Sequence, residues 1–149
     1  MPFVKVTLFW MALFLSLAGC SSTSTPVDLR DGDSCAHCRM KISDARVAAQ
    51  IAAPGEEPLF YDDIGCLART LAAGQSSEFA YVADHRTGEW VPAATAVYTR
   101  VPSLETPMGS HIVGHADDAS RQADPDAVKG SIVSAAEVFG RAGGGTDGG

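Results

Sequence analysis

Clustered positive charge is missing from this sequence. Its 149 residues carry 11 Lys and Arg against 18 Asp and Glu, a net charge of −7, with no basic run. Phosphate recognition needs grouped cations, so nucleic acid is excluded as a partner. A bilayer-spanning segment is missing too: the apolar stretch from Val6 to Ala18 has thirteen residues, whereas a transmembrane helix needs about 20. No Ser-His-Asp arrangement, glycine-rich phosphate loop or dinucleotide fingerprint occurs, and the expected role is not enzymatic. Sulfur is sparse, with four cysteines and, past residue 20, only Met40 and Met108. What is present, 46% apolar and 19% charged residues, suits one soluble domain rather than a disordered or multi-pass membrane chain.

The N-terminus reads as an address. Lys5 precedes the Val6 to Ala18 stretch, which has the length of a secretory h-region. It closes on Leu17-Ala18-Gly19-Cys20, a pattern similar to a bacterial lipobox. Residues 1–19 are expected to be a lipoprotein signal peptide and Cys20 the lipid attachment point. Each buried acyl methylene is worth about 0.8 kcal/mol, so two or more chains hold a domain on a membrane without a spanning helix. Ser21 after Cys20, rather than Asp, points to the outer membrane, with the domain facing the periplasm. Loss of Lys5 leaves ten basic and eighteen acidic groups, a net −8, and three cysteines, Cys35, Cys38 and Cys66. An odd number of thiols in an oxidising compartment leaves one sulfur unpaired, metal-bound or intermolecular.

Residues 20–33 contain Ser-Ser-Thr-Ser-Thr-Pro-Val and are expected to be a lipidated tether. Residues 141–149 are expected to be a Gly-rich disordered tail. Between them, residues 34–140 predict an α+β fold of two small packed ββαβ-type lobes, about 34–86 and 87–140. In the first, Val47 to Ile51 alternates as a half-buried strand, Leu59 to Tyr61 is a second, and Phe79 to Ala83 a third. Asp62 or Asp63 caps a helix whose Ile64, Leu67, Ala68 and Leu71 share a face and which Gly74 ends. The second lobe repeats the order: extended chain from Glu89 through Val101, a strand at His111 to Ala116, Asp117-Asp118 and a weak helix to Ala123. A turn at Asp124-Pro125, a strand at Ser131 to Val133 and a helix from Ala135 to Arg141 follow. Lobes this small bury too little surface to stand alone, so they are expected to pack together.

The chemistry concentrates in Cys35-Ala36-His37-Cys38-Arg39-Met40, two thiols and a thioether within six residues. Such soft donors select Cu(I), whereas calcium or magnesium requires oxygen. If the chain leaves the turn extended, Cys38 and Met40 lie two residues apart on one face. Haem attachment requires His directly after the second cysteine, where Arg39 stands. Three other readings stay open: thiol–disulfide exchange, a short structural disulfide between Cys35 and Cys38, and a structural zinc site completed by two more ligands from Cys66 or histidine. Met108 sits in the Pro-, Gly- and Ser-containing turn Thr106 to His111, where a ligand is as expected as a core side chain, and His111 is within reach of the same ion. His115 lies four residues on, roughly 13 Å along a strand, so only one of the two histidines belongs in that site. The candidate metal ligands are therefore Cys35, Cys38, Met40, Met108 and His111. Cys66 reads as a small buried residue on a packing helix, His37 and His85 as exposed turn residues, and Asp62 and Asp63 as a helix cap beside a solvated acid.

Taken in order, the lipobox, Asp33 to Met40, Phe60-Tyr61-Asp62-Asp63-Ile64-Gly65-Cys66-Leu67, Tyr81 to Asp84 before Gly88-Glu89-Trp90, and Thr106 to Ser110 resemble the NosL family of nitrous oxide reductase accessory lipoproteins. The resemblance runs from Cys20 to about Val138. It implies two similar ββαβ lobes and a membrane-anchored, periplasm-facing Cu(I) chaperone whose partner is nitrous oxide reductase or another periplasmic copper protein. The sequence departs from the family at Arg39, where glycine is frequent, and at His111 and His115, where a small residue and phenylalanine are frequent.

Overall fold

Alternation and helix capping place most of the elements. The computed structural model describes residues 24–140; the expected signal peptide, Cys20 and the Gly-rich tail lie outside the described residues. The first sheet is built from β1 (Ala49–Ile51), β2 (Leu59–Tyr61), β3 (Ala80–Ala83) and β4 (Trp90–Pro92), in the order β2-β1-β3-β4 with every pair antiparallel. The second is built from β5 (Val97–Arg100), β6 (Ile112–His115) and β7 (Ser131–Val133), in the order β6-β5-β7, also antiparallel. In each sheet the strand after the helix pairs back onto the first strand, so β1 lies between β2 and β3 and β5 between β6 and β7, the ββαβ arrangement expected from the repeated pattern, with β4 added at the edge of the first sheet. The fold is α+β.

Helix α1 (Ile64–Ala72) joins β2 to β3, and α2 (Asp118–Ala123) lies between β6 and β7. Both start on an aspartate N-cap: Asp63 accepts from the Gly65 N–H and Asp117 from the Ser120 N–H. The chain leaves α1 through Gly74 at φ 103°, a conformation that suits glycine. A final helix α3 (Ala135–Phe139) has a Ser134–Glu137 capping box.

Three elements differ from expectation for local reasons. Asp44 accepts from the Arg46 N–H and winds Ala45–Val47 into a 3-10 turn, so the first strand begins at Ala49. His111 adopts φ 56° and delays β6 to Ile112. The Glu89 to Val101 segment divides, with β4 pairing to β3 of the first sheet. Residues 24–27, expected within the tether, run against β1: the fully buried Gln50 exchanges two 2.9 Å hydrogen bonds with the Val27 backbone, and Tyr81 Oη donates to Ser24 O.

The two sheets share one core. Ile51, Tyr61, Ile64, Leu67 and Val82 of the first half pack with Tyr98, Ile112 and Val138 of the second. Phe139 meets Tyr98 edge-on with centroids 5.4 Å apart. A smaller cluster of Val47, Val101, Val113 and Ala127 fills the other end. Where α1 begins, the halves are in close contact: a Cβ at Gly65 would lie 2.9 Å from Ser110 Cβ and 3.0 Å from Asp63 Oδ1.

That proximity reverses the usual sign of a substitution. Gly to Ala inside a helix ordinarily stabilises by about 1 kcal/mol. Gly65→Ala is expected instead to cost about 1–3 kcal/mol, because the added methyl drives the 106–110 turn off the helix. Urea denaturation of the two proteins measures it.

Candidate metal centre

The segment carrying two of the thiols is a closed loop. Ser34 and Lys41 form a bridge across its base, the Cys35 N–H donates to Met40 O at 2.8 Å and the Arg39 N–H to Cys35 O at 2.9 Å. The Ala36 N–H donates to Phe60 O at 2.7 Å, hooking the loop onto the free edge of β2. Arg39 sits at φ 66°, the left-handed region. That kink removes the alternation expected past the turn: Cys38 packs half-buried against the core, while Met40 turns outward and is 55% exposed.

Cys66 enters from α1, three residues past its N-cap and on its buried side. The sulfurs of Cys35, Cys38 and Cys66 all lie within 4.8 Å of one another, and all three are free thiols. The expectation that Cys66 is only a small core residue is therefore incomplete: it is fully buried, but beside the other two sulfurs. The odd thiol count is the signal in the sequence. The C-x-x-C pair lies in a turn rather than at a helix N-terminus, unlike a thioredoxin-type redox pair.

The environment differentiates these thiols. Burial pushes Cys35 up, but backbone N–H groups of Cys38, Asp62 and His37 directed at its sulfur outweigh that and hold it below the ordinary thiol value. Cys66 goes the other way: burial, then the neighbouring Cys35 and Cys38 sulfurs, push its thiol far up. The arrangement is a buried thiol with a raised value beside one held below the ordinary thiol value, with three soft donors close together.

Asp62 and Asp63, adjacent and both buried, position the centre from two sides. Asp62 Oδ1 accepts from the Ser43 N–H at 2.7 Å and from Ser43 Oγ at 3.2 Å, fixing the chain just past the cysteine loop. It is not the solvated acid expected. Asp63 caps α1 through Gly65 N–H at 2.6 Å with Oδ1, and with Oδ2 accepts from the Met108 N–H at 3.0 Å. The turn bearing Met108 is thereby fixed to the end of the helix that carries Cys66. Met108 itself is half-buried and packs on the core cluster that contains Cys35 and Cys66. Beside it, His111 Nδ1 donates to Leu104 O at 2.7 Å.

Two further histidines behave differently. His37 is exposed in its turn, as expected. His85 is not: it is buried, with its ring 2.6 Å from Asp124 Oδ2, and His115 meets the same oxygen at 2.9 Å. His85 is drawn in because its own N–H donates to Gly114 O, where Asp84 and Gly114 bridge the two sheets.

The Asp63 carboxyl titrates low. Burial pushes it up, and hydrogen bonds from the Ser110 and Thr106 hydroxyls and the Gly65 and Met108 N–H groups more than reverse this. A carboxylate lowered in the folded state stabilises the fold above its unfolded value near 3.9, and that contribution is lost as pH falls through the lower folded value. Asp63→Asn is expected to cost about 1–3 kcal/mol at pH 7. The gap in melting temperature between the two proteins then narrows below about pH 4; thermal melts across that range measure it.

No curated protein and no solved structure matches the chain. The family model for NosL matches residues 26–141. That span takes in the cysteine loop, the Asp62-Asp63 pair, α1 and the Met108 turn, and the chain belongs to the NosL family.

Proposed function

We propose that this chain is a membrane-anchored periplasmic Cu(I) carrier that supplies copper to nitrous oxide reductase or to another periplasmic copper protein. The observation that carries the reading is the convergence of three thiol sulfurs from two separate stretches, with the donor atoms within 4.8 Å. Cu(I) accepts two or three soft ligands, whereas structural zinc completes four. Membership of the NosL family supports the same assignment.

Copper is the cargo. Cys35, already held toward its thiolate, provides the first bond. Cys38 stands beside it, half-buried, and Cys66 releases its proton as the ion takes the proton's place. Met40, exposed on the loop, and Met108, fixed to Asp63, are thioethers that bind without a proton to lose and cannot form disulfides. His111, with Nδ1 held by the Leu104 carbonyl, has the orientation of a ring whose other nitrogen serves as a ligand. A groove of about 540 Å³ lined by Val27, Arg30, Cys35, Arg39 and Phe60 gives a partner access to this end of the molecule. Delivery proceeds by ligand exchange as the partner's donors replace these one at a time. The expected lipid on Cys20 keeps the carrier at the outer membrane.

Anaerobic Cu(I) titration against a competing chelator, with X-ray absorption on the loaded protein, tests the proposal. The expected result is stoichiometric Cu(I) in a sulfur-dominated shell, with Cys35→Ser weakening binding at least about tenfold, or 1.4 kcal/mol. Met40→Ala combined with Met108→Ala is expected to weaken it further, and unchanged affinity in that double variant removes both thioethers from the site. Catalysed disulfide exchange without stoichiometric copper makes the protein an oxidoreductase. A four-coordinate zinc that resists exchange makes the cluster structural.

A further inference from the structure

A second donor cluster, separate from the thiols in its residues, draws on both halves of the chain. His85 follows β3, His115 ends β6, and Asp124 follows α2, so three elements meet there. All three side chains are buried. His85 Nδ1 and His115 Nε2 approach the single oxygen Asp124 Oδ2 at 2.6 and 2.9 Å, and each residue offers a ligand atom within 4.8 Å of the other two. The second carboxylate oxygen is held by backbone: Asp124 Oδ1 accepts from the Asp126 N–H at 2.9 Å and the Ala127 N–H at 3.4 Å. The carboxylate is thus oriented from behind, as metal-ligating carboxylates are.

The rings have no other polar engagement. The far nitrogens, His85 Nε2 and His115 Nδ1, are buried without a hydrogen-bond partner. Every side-chain polar contact of both rings converges on Asp124. Burying two imidazoles and a carboxylate is expensive unless their polar capacity is used, and here two ring nitrogens crowd onto a single carboxylate oxygen. The rings stand edge to face at 74°, with centroids 6.3 Å apart, so their near lone pairs address a common point without stacking.

We propose that His85, His115 and Asp124 form a second cation site, one for a divalent ion of the Zn(II) class. Imidazole and carboxylate suit Zn(II) or Cu(II), whereas the thiol cluster suits Cu(I), so the two sets sort ions by softness and oxidation state. Zinc bonds of about 2.0–2.1 Å place tetrahedral donors about 3.3 Å apart, which needs the two short contacts to open by well under 1 Å. The dication replaces the two bridging protons. Each neutral ring gives its near lone pair to the ion and carries its proton on the far nitrogen instead. Two neutral imidazoles and one carboxylate leave the occupied site with a single positive charge.

Zn(II) titration of the full chain, followed by imidazole ¹⁵N spectroscopy, tests the site independently of the copper proposal, because the readout is the two rings and not the thiols. The expected result is stoichiometric zinc that moves the ring protons of His85 and His115 from Nδ1 and Nε2 to the opposite nitrogens, with nitrogen and oxygen neighbours in the zinc absorption spectrum. Asp124→Asn and His115→Gln are expected to weaken this binding at least about tenfold while Cu(I) binding at the thiols persists. If zinc in excess leaves both rings' ¹⁵N signals unchanged, or binds only in a shell of sulfur, the assignment is overturned and the triad is a hydrogen-bonded brace between the sheets. The wild-type ring spectra separate these two outcomes even if a variant fails to fold.

Discussion

Two neighbouring carboxylates hold the candidate centre together. Asp62 and Asp63 follow β2 directly and turn in different directions: one accepts from Ser43, 19 residues back, the other from Met108, 45 residues ahead. Burial of two adjacent acids carries a large desolvation penalty. Hydrogen bonds from main-chain N–H groups and hydroxyls offset it, and bonds to a charged acceptor are the stronger kind. The thiol cluster inherits its geometry from this arrangement, because the cysteine loop, the start of α1 and the Met108 turn are each tied to one of these side chains. Gly65 completes it by letting the turn come within contact distance of the helix.

The same backbone groups that place the sulfurs also set their proton affinities. The Cys38, Asp62 and His37 N–H groups directed at the Cys35 sulfur lower that thiol against its burial, while Cys66 is governed by burial and by its sulfur neighbours. A thiol held below its ordinary value and one held above it differ in how easily each gives up a proton to a metal ion. At the His85–His115–Asp124 cluster the donor set changes to nitrogen and oxygen, with the carboxylate oriented by backbone.

The architecture is legible in the sequence because it is written in local signals. Alternation at Ala49 to Ile51, the caps at Asp63 and Asp117, and Gly74 after the first helix all act within a few residues, and the repetition of strand, strand, helix, strand reveals the two sheets. The 3-10 turn at Ala45 is not visible there, since it depends on one Asp44 side chain outcompeting an alternating pattern. Nor is the allegiance of β4, which is settled by pairing with β3 across a loop. His85 escapes notice, and Cys66 shows only through the odd thiol count, for one reason: each looks ordinary among its sequence neighbours, and its partners come from elsewhere in the chain. Arg39 and His111 are the two non-glycine residues at positive φ among the described residues, and the turns they form carry backbone strain at those two positions.

The 45-residue reach of the Asp63–Met108 contact sets the order of events during folding. Loops of that length close late, after nearby hairpins and helices have formed. Until Asp63 and Met108 meet, the thioether turn is not held against the helix that carries Cys66. Assembly of the candidate centre is therefore a long-range event rather than a property of either sequence segment alone.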